Sequence, residues 1–230
     1  MPIPQTALVV GATGGIGAAI CAELERRGSR VLRWSRRVDG LDITDEASIA
    51  AAVTRLQQSL APDRSLEAVW VATGQLAIDG HHPERRFRDL TADRMAACFA
   101  VNSIGPALLL KHLAPLLPRD RPSAFVALSA RLGSIGDNRL GGWMSYRVAK
   151  AALNQVIRCA SIEVQRRHKQ AVVVGLHPGT VDTAMTRAFH RGRTTATPED
   201  CARQLVEVVD QLTPADSGHI YDYAGLRVPF

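Results

Sequence analysis

The 230-residue sequence predicts an α/β fold. The expected architecture is a doubly wound parallel sheet of about seven strands with helices on both faces, three αβα layers in a single domain. Three observations carry that expectation. Short, uniformly apolar runs, several ending at glycine, have the pattern of strands buried on both faces. Stretches with a 3.6-residue apolar period read as amphipathic helices. The two kinds of segment alternate along the whole chain, which implies right-handed βαβ crossovers.

Ala7 to Val10 is the first such strand, ending at Gly11. Ile16 to Arg27 follows as a helix, with Ile16, Ile20, Cys21 and Leu24 on one face and Gly28 as its stop. Arg30 to Ser35 is a second strand, Leu41 to Ile43 a short extended piece, and a helix begins at Thr44 or Asp45. Leu66 to Gly74 is another buried strand. Thr91 caps a helical region that runs through Asn102 towards Leu117, with a kink expected at Gly105-Pro106. Ser123 to Ala130 and Ala171 to Gly179 are further strands, separated by a helix from about Met144 to Arg167. Thr197 caps a last helix starting near Pro198, and the GHIYDY segment (Gly218 to Tyr223) is the closing strand. No linker or internal repeat interrupts the alternation, so residues 1–230 read as one Rossmann-type domain.

Composition narrows the function classes. The length suits one well-filled α/β domain and is short for two. No apolar run reaches the roughly 18–20 residues that span a bilayer. The opening MPIPQTALVVGATG lacks the charged start of a signal peptide and moves directly into a strand, so a cytoplasmic protein with no membrane partner is expected. Cys21, Cys98, Cys159 and Cys201 are far apart, with no CxxC pair and no histidine at ligand spacing, which predicts reduced thiols and no metal. The net charge of +6 is scattered: only Lys111, Lys150 and Lys169 are lysines, and the arginine pairs are not interleaved with aromatics. That pattern points away from nucleic acid.

GATGGIG, Gly11 to Gly17, lies between the first strand and the first helix. Gly11, Gly15 and Gly17 satisfy GxxxGxG, whereas Gly11, Gly14 and Gly17 satisfy GxxGxxG. In either reading Gly11 closes the strand, a middle glycine lets backbone N–H groups approach phosphate, and Gly17 lets the helix pack close to the sheet. Thr13 and Ile16 complete a turn that would hold a dinucleotide pyrophosphate against the positive end of the helix dipole. An NAD-selective site usually carries an acid about 20 residues further on, where it binds the ribose 2′-hydroxyl. Here that place holds Ser35, Arg36 and Arg37, a hydroxyl and two guanidiniums. Arginine can grip a 2′-phosphate bidentately, so NADP(H) is expected over NAD.

Tyr146 and Lys150 are four residues apart and share one face of the long helix. A phenol with pKa near 10 is a poor acid–base at neutral pH, and a neighbouring ammonium and a cationic nicotinamide favour its phenolate. Tyr146 could then exchange a proton with a carbonyl or alcohol oxygen while hydride moves to or from the nicotinamide.

With these residues in place the chain resembles the short-chain dehydrogenase/reductase family over nearly its full length. The resemblance rests on GATGGIG, LDITD, VATG (Val71 to Gly74), VNSIGP with Asn102, SYRVAK and HPGTVDT (His177 to Thr183). SARLGSIGDNRLGGW and the terminal YDYAG are similar to the C-factor-like branch, whose members are often called carbonyl reductases. The resemblance implies that Asp42 and Ile43 border the adenine and that Ala72, Thr73 and Gly74 back the cofactor. It implies that Asn102 holds a proton-relay water near Lys150, and that Lys150 also binds the nicotinamide ribose. Pro178, Gly179 and the residues to Thr183 would cover the nicotinamide, with Val181 and Thr183 bonding its carboxamide. A homodimer or homotetramer is implied as well. Since Tyr146, Lys150 and the chain length fit this family, Gly11, Gly15 and Gly17 become the working glycines and Gly14 a permissive extra.

Two departures stand out. The family usually has Asn-Asn-Ala-Gly where this chain has Val-Ala-Thr-Gly. The family's serine is normally the second of a Ser-Ser pair, and here the pair is Ser129-Ala130. Strand alternation points Ser129 away from a pocket faced by Ala130. Ser134 lies 12 residues before Tyr146 and could reach in from the loop, so Ser134 is favoured over Ser129.

On the substrate side, residues 183–197 read as a short mobile lid. Its Arg187, Arg191 and Arg193 invite an anionic substrate, although a solvated flexible loop is the favoured reading of them. Leu140, Trp143 and Met144 are expected to form an apolar wall. His177 reads as a packed residue before Pro178 and not as a base, and His81 and His82 lie off metal-site spacing. The reading is an NADP(H)-dependent oxidoreductase for a small carbonyl/alcohol substrate. The alternative is an NADP-binding sensor or signalling protein of the same fold with little turnover.

Overall fold

The computed structural model describes residues 1–60, 65–189 and 194–230. Strand β1 (Thr6–Val10) leads into helix α1 (Gly15–Arg26), then β2 (Arg30–Trp34), the short α2 (Arg36–Asp39) and α3 (Glu46–Ser59). Next come β3 (Ala68–Val71), α4 (Ala92–Phe99), α5 (Gly105–Leu113), β4 (Ser123–Leu128), α6 (Met144–Arg167), β5 (Ala171–His177), α7 (Pro198–Gln211), β6 (Ile220–Asp222) and β7 (Arg227–Val228). The seven strands form one sheet in the order β2-β1-β3-β4-β5-β6-β7, parallel except for β7.

Every residue of β1, β3 and β4 is buried, because both faces of the sheet are covered. Alternation along β1 sends Leu8 and Val10 into a core shared with Ile49, Leu109 and Leu153, from α3, α5 and α6. Ala7 and Val9 face Ile20 and Leu24 of α1 and Leu205 of α7. Helix ends carry the side-chain acceptors that their orphan N–H groups need: Asp45 accepts from Ala47 N, Thr91 from Arg94 N and Thr197 from Asp200 N.

The extended piece Leu41–Ile43 joins no strand. Gly40 (φ +67°) turns the chain away after α2, Asp42 N donates to Ser48 Oγ, and the Asp42 carboxylate accepts from Thr44, so local polar groups take the place of a ladder. The seventh strand is β7, which pairs antiparallel with β6, so the GHIYDY segment does not close the sheet. The disturbance expected at Gly105-Pro106 falls just before it, as a π-helical turn over Ala100–Ile104 that surrounds Asn102. Pro106 has no N–H for the preceding turn, and Gly105 N reaches back to Ala100 O instead.

The continuous helical stretch Ala92–Leu116 is long and apolar enough to cross a membrane by length and composition, which corrects the expectation that no such run exists. Its apolar residues have a use in the fold: Leu109 and Leu113 are fully buried, α5 packs on α3, and α4 packs on α6.

Sterics around the glycine turn are uneven. A Cβ on Gly17 would sit 2.2 Å from Gly11 O, and one on Gly15 would lie 2.9 Å from Thr183 Cγ2. Gly11 has φ +88°, and a Cβ there would press on Ala72 at 3.0 Å. A Cβ on Gly14 meets only Gly11 O, at an ordinary 3.4 Å. Gly17→Ala should therefore overpack the turn by about 1–3 kcal/mol and lower the thermal midpoint by on the order of 5 °C. Gly14→Ser should leave it within about 2 °C. Thermal unfolding followed by circular dichroism checks both, and equal midpoints for the two variants would contradict the close approach.

Candidate active site

The loops after β1, β2, β3, β4 and β5 all leave from the carboxyl edge of the sheet. The order reverses between β1 and β3, which makes a crevice of the kind where open α/β sheets bind ligands. At its floor Gly11 N and Ala12 N donate to Trp34 O, and Gly14 N donates to Gly11 O. The next N–H groups, at the start of α1, are those that a helix leaves without intrahelical acceptors. Ala72 and Thr73 press against Gly11, and Thr73 Oγ1 is buried with no hydrogen-bond partner among the described residues. Thr183 lies against Gly15. A backbone cradle with free N–H groups and an unpaired hydroxyl beside it fits a dinucleotide pyrophosphate.

Ser35 follows β2, and its Oγ accepts from Val38 N, capping α2. Arg36 and Arg37 are exposed on that helix. The structure also supplies an acid. Asp39 Oδ2 accepts from Ser35 N at 2.8 Å and from Ser35 Oγ at 3.3 Å. Sequence spacing could not find it, because a short helix folds it back onto the strand end. Asp42 is held below the usual carboxylate range by the hydroxyl and N–H of Thr44, and Ile43 packs against Gly105.

Tyr146 and Lys150 stand on the first turns of α6 at 8% and 2% exposure, with Lys150 Nζ 5.7 Å from the centre of the Tyr146 ring. Lys150 Nζ donates to Leu128 O at 2.8 Å. A Cβ on Gly74 would lie 3.8 Å from Lys150 Nζ and 3.3 Å from Asn102 Oδ1, so Gly74 lets these two groups converge. Asn102 is fully buried. Its Oδ1 accepts from Gln75 N, and its Nδ2 donates to Gln75 O and Cys98 O, locking the end of β3 onto the π-helical turn. Burial pushes the Lys150 ammonium down to about 8. Burial, reinforced by Cys98, pushes the Tyr146 phenol up, against the direction that the ammonium alone would drive it.

The serines are placed as follows. Ala130 packs in one apolar cluster with Tyr146, Leu76, Ile78, Cys98 and Ala149. Ser129 Oγ donates to Asn154 Oδ1 at 2.6 Å. Ser134 Oγ accepts from Asp137 N at 3.1 Å, and the preceding Gly133 lies against the Lys150 backbone. Among the described residues no hydrogen bond reaches the Tyr146 hydroxyl, from either serine or any other group.

Above the crevice Gly179 (φ +76°) rests on the Tyr223 ring, and the Val181 side chain is buried against α7. Val181 bridges to Ala196. Arg187 Nε pairs with Asp182 at 3.2 Å, so an internal carboxylate already occupies it; Arg191 and Arg193 lie outside the described residues. Trp143 joins the apolar cluster, but Leu140 is 83% exposed, which removes it from the expected wall. Phe189, which the sequence did not single out, meets Trp143 and His82 edge-on at 5.1 Å each. His177 is pushed down to about 4 by burial and by Arg131, leaving it neutral at physiological pH.

A nucleotide cradle and a buried Tyr-Lys pair at one sheet edge define an NAD(P)-dependent dehydrogenase/reductase. The short chain dehydrogenase family model matches residues 5–194, and the chain belongs to that family. It is 31% identical over 226 residues to the 1-hydroxy-2-glutathionyl-2-methyl-3-butene dehydrogenase of Rhodococcus sp. (strain AD45), covering 93% of this chain and 94% of that one. It is 36% identical over 138 residues to the C-signal of Myxococcus xanthus, covering 59% of this chain and 78% of that one. Among solved structures it resembles a short-chain dehydrogenase/reductase from Burkholderia multivorans with bound NADP, with TM-score 0.79, 26% identity and full coverage of both chains.

The state of Lys150 has a measurable signature. Its folded pKa lies below that of an unfolded lysine, so the folded state carries the cost of the charged form below pH about 8. That cost fades as pH rises towards the usual lysine value of about 10.4. Lys150→Met should therefore raise the thermal midpoint at pH 7, and the gain should shrink by pH 10. A gain of the same size at both pH values would contradict a buried ammonium.

Proposed function

We propose that the chain is an NADP(H)-dependent oxidoreductase acting on a carbonyl/alcohol pair, built as one NAD(P)-binding domain with residues 183–197 as its substrate lid. The convergence of Tyr146, Lys150 and Asn102 beside the glycine cradle carries this reading. Bound NADP(H) supplies or accepts the hydride. Tyr146 gives the proton to the substrate oxygen in reduction and takes it back in oxidation. Lys150 keeps a positive charge beside that phenol and would bind the nicotinamide ribose of the bound cofactor. Asn102 spends its amide on Gln75 and Cys98, so its part in the proton relay is to hold the Gly74-Gln75 turn against Lys150.

On the cofactor, Gly11, Thr13, Gly15, Ile16 and Gly17 would receive the pyrophosphate, with Asp42, Ile43, Ala72, Thr73 and Gly74 along the adenosine and Pro178, Gly179, Val181 and Thr183 over the nicotinamide. Ser35, Arg36 and Arg37 support NADP over NAD, as does the NADP in the Burkholderia structure. Asp39 tempers that preference, because it holds the Ser35 donors that a 2′-phosphate would take. Ser134 is the serine we assign to the substrate oxygen: its Oγ accepts from Asp137 N, so its proton is uncommitted, whereas Ser129 has given its proton to Asn154. Leu76, Ile78, Ala130, Trp143 and Phe189 pack around Tyr146, while His81, His82, Glu84 and Arg94 bring polar groups to the same cavity.

A second reading, an NADP-binding signalling protein with little turnover, is favoured by Ala130 in the serine slot and by the likeness to the C-signal. Both readings expect NADPH binding. Only the first expects NADPH oxidation with a panel of aldehydes, ketones and quinones, faster than NADH oxidation. Tyr146→Phe should cut that rate by about 10²–10⁴-fold. Ser134→Ala should lower turnover far more than NADPH affinity, and unchanged turnover would remove Ser134 from the mechanism. A Tyr146→Phe variant as fast as the parent would refute the acid–base role.

The chain also pairs with copies of itself, in this reading, as a homodimer or homotetramer. A groove between α5 and α6 is lined by Ala107, Leu110, Val156 and Cys159, and Ile104, Val148 and Ile162 stand exposed on the same helical region. Sedimentation velocity should show a dimer or larger, and a monomer at micromolar concentration would overturn this.

A further inference from the structure

Helix α6 begins in an unusual way. Gly141, Gly142 and Trp143 are three consecutive left-handed residues, with φ of +61°, +65° and +54°. Glycine adopts that conformation freely, but a tryptophan does so only where its surroundings impose it. Trp143 is also the N-cap and offers α6 no side-chain cap. The acceptors come from elsewhere. Glu84, in the loop between β3 and α4, takes Trp143 N on its main-chain oxygen at 2.6 Å. Its Oε2 accepts from Ser145 N at 3.3 Å, and its Oε1 accepts from Ser145 Oγ.

Glu84 is 6% exposed, an uncommon burial for a glutamate to which, among the described residues, no arginine or lysine is bonded; Arg94 lines the same cavity. Its loop, with Leu76, Ile78 and His82, forms the wall of the cavity in front of Tyr146. Tyr146 directly follows Ser145, and its hydroxyl has no hydrogen-bond partner among the described residues. Nothing polar therefore fixes the tip of the ring. Its placement depends on apolar packing and on the backbone of the first turn, which Glu84 holds.

We infer that Glu84 is a positioning residue for the reaction: it caps α6 from the neighbouring loop and so sets where the Tyr146 hydroxyl meets the substrate oxygen. The inference rests on the reading of Tyr146 as the acid–base. It gives the buried carboxylate a use through geometry, with no proton transferred to or from it.

The test compares the parent with Glu84→Leu, Glu84→Asp and Glu84→Gln in NADPH oxidation with the best carbonyl substrate of the panel, alongside NADPH fluorescence titration and thermal unfolding. Leucine fills the space without accepting, and aspartate keeps the acceptors but is one methylene short. Both should lose about 10–100-fold in kcat, as small misplacements of a reacting group do, with the NADPH Kd within about twofold of the parent. Glutamine can accept from Ser145 N and donate to Ser145 Oγ, so Glu84→Gln should restore kcat to within about threefold of the parent. If Glu84→Leu fails to fold, Glu84→Asp against Glu84→Gln decides. Parent-like kcat in Glu84→Asp overturns the inference, and so does equal loss in Glu84→Asp and Glu84→Gln. Tyr146→Phe separates the two levels: if it turns over like the parent, the acid–base reading fails, whereas its loss beside parent-like Glu84 variants sinks the positioning role alone.

Discussion

The ammonium of Lys150 is buried with one carbonyl oxygen, Leu128 O, as its hydrogen-bond partner among the described residues, and no carboxylate beside it. Taking a charge out of water without a counter-charge is costly, and the shift to about 8 is the trace of that cost. Much of the molecule serves to hold the group there. Strand β4 ends where its last carbonyl can accept from Nζ, Gly133 lets the following turn lie against the Lys150 backbone, and Gly74 leaves room from β3. The π-helical turn then locks Asn102 onto the same strand end. A site prepared in this way has an unbalanced positive charge, which suits a ligand carrying phosphates and a reaction that develops negative charge on oxygen.

The two ends of the crevice are built by different means. At the glycine turn the shape is a matter of backbone: glycines without side chains and the N–H groups of a helix start. Around Tyr146 side chains decide, with apolar and aromatic groups from separate segments meeting there. A backbone site tolerates little variation, since a Cβ on Gly17 has nowhere to go. A side-chain site can be rebuilt by substitution with the backbone left in place.

Much of this was legible in the sequence, for reasons that particular residues make plain. The strands show as apolar runs because both faces of the sheet are covered, and α6 runs over the very residues, Met144 to Arg167, that the pattern marked. Tyr146 and Lys150 could be read because helical spacing is a local property. What escaped was tertiary. The π-helical turn depends on Pro106 and on Asn102 finding Gln75 across the crevice. Asp39 returns to Ser35 through a helix of four residues, and Glu84 reaches Ser145 over 61 positions of chain. The two-residue β7 has too little pattern to announce itself, and which way Ser129 and Ser134 turn depends on partners, Asn154 and Asp137, that periodicity does not name.

The bridge between Val181 and Ala196 has a consequence for how this protein can diverge. Asp182 N donates to Ala196 O and Ala196 N donates to Thr180 O, so the segment after Thr183 leaves and rejoins the domain at one fixed point. The entropy of such a closed loop grows only with the logarithm of its length, about 0.6 kcal/mol for each doubling. Insertions or deletions between the clamped ends therefore weigh little on the stability of the sheet below. The stretch between these two ends can change length and composition almost independently of the sheet, with Thr197 restarting the fold at α7 each time.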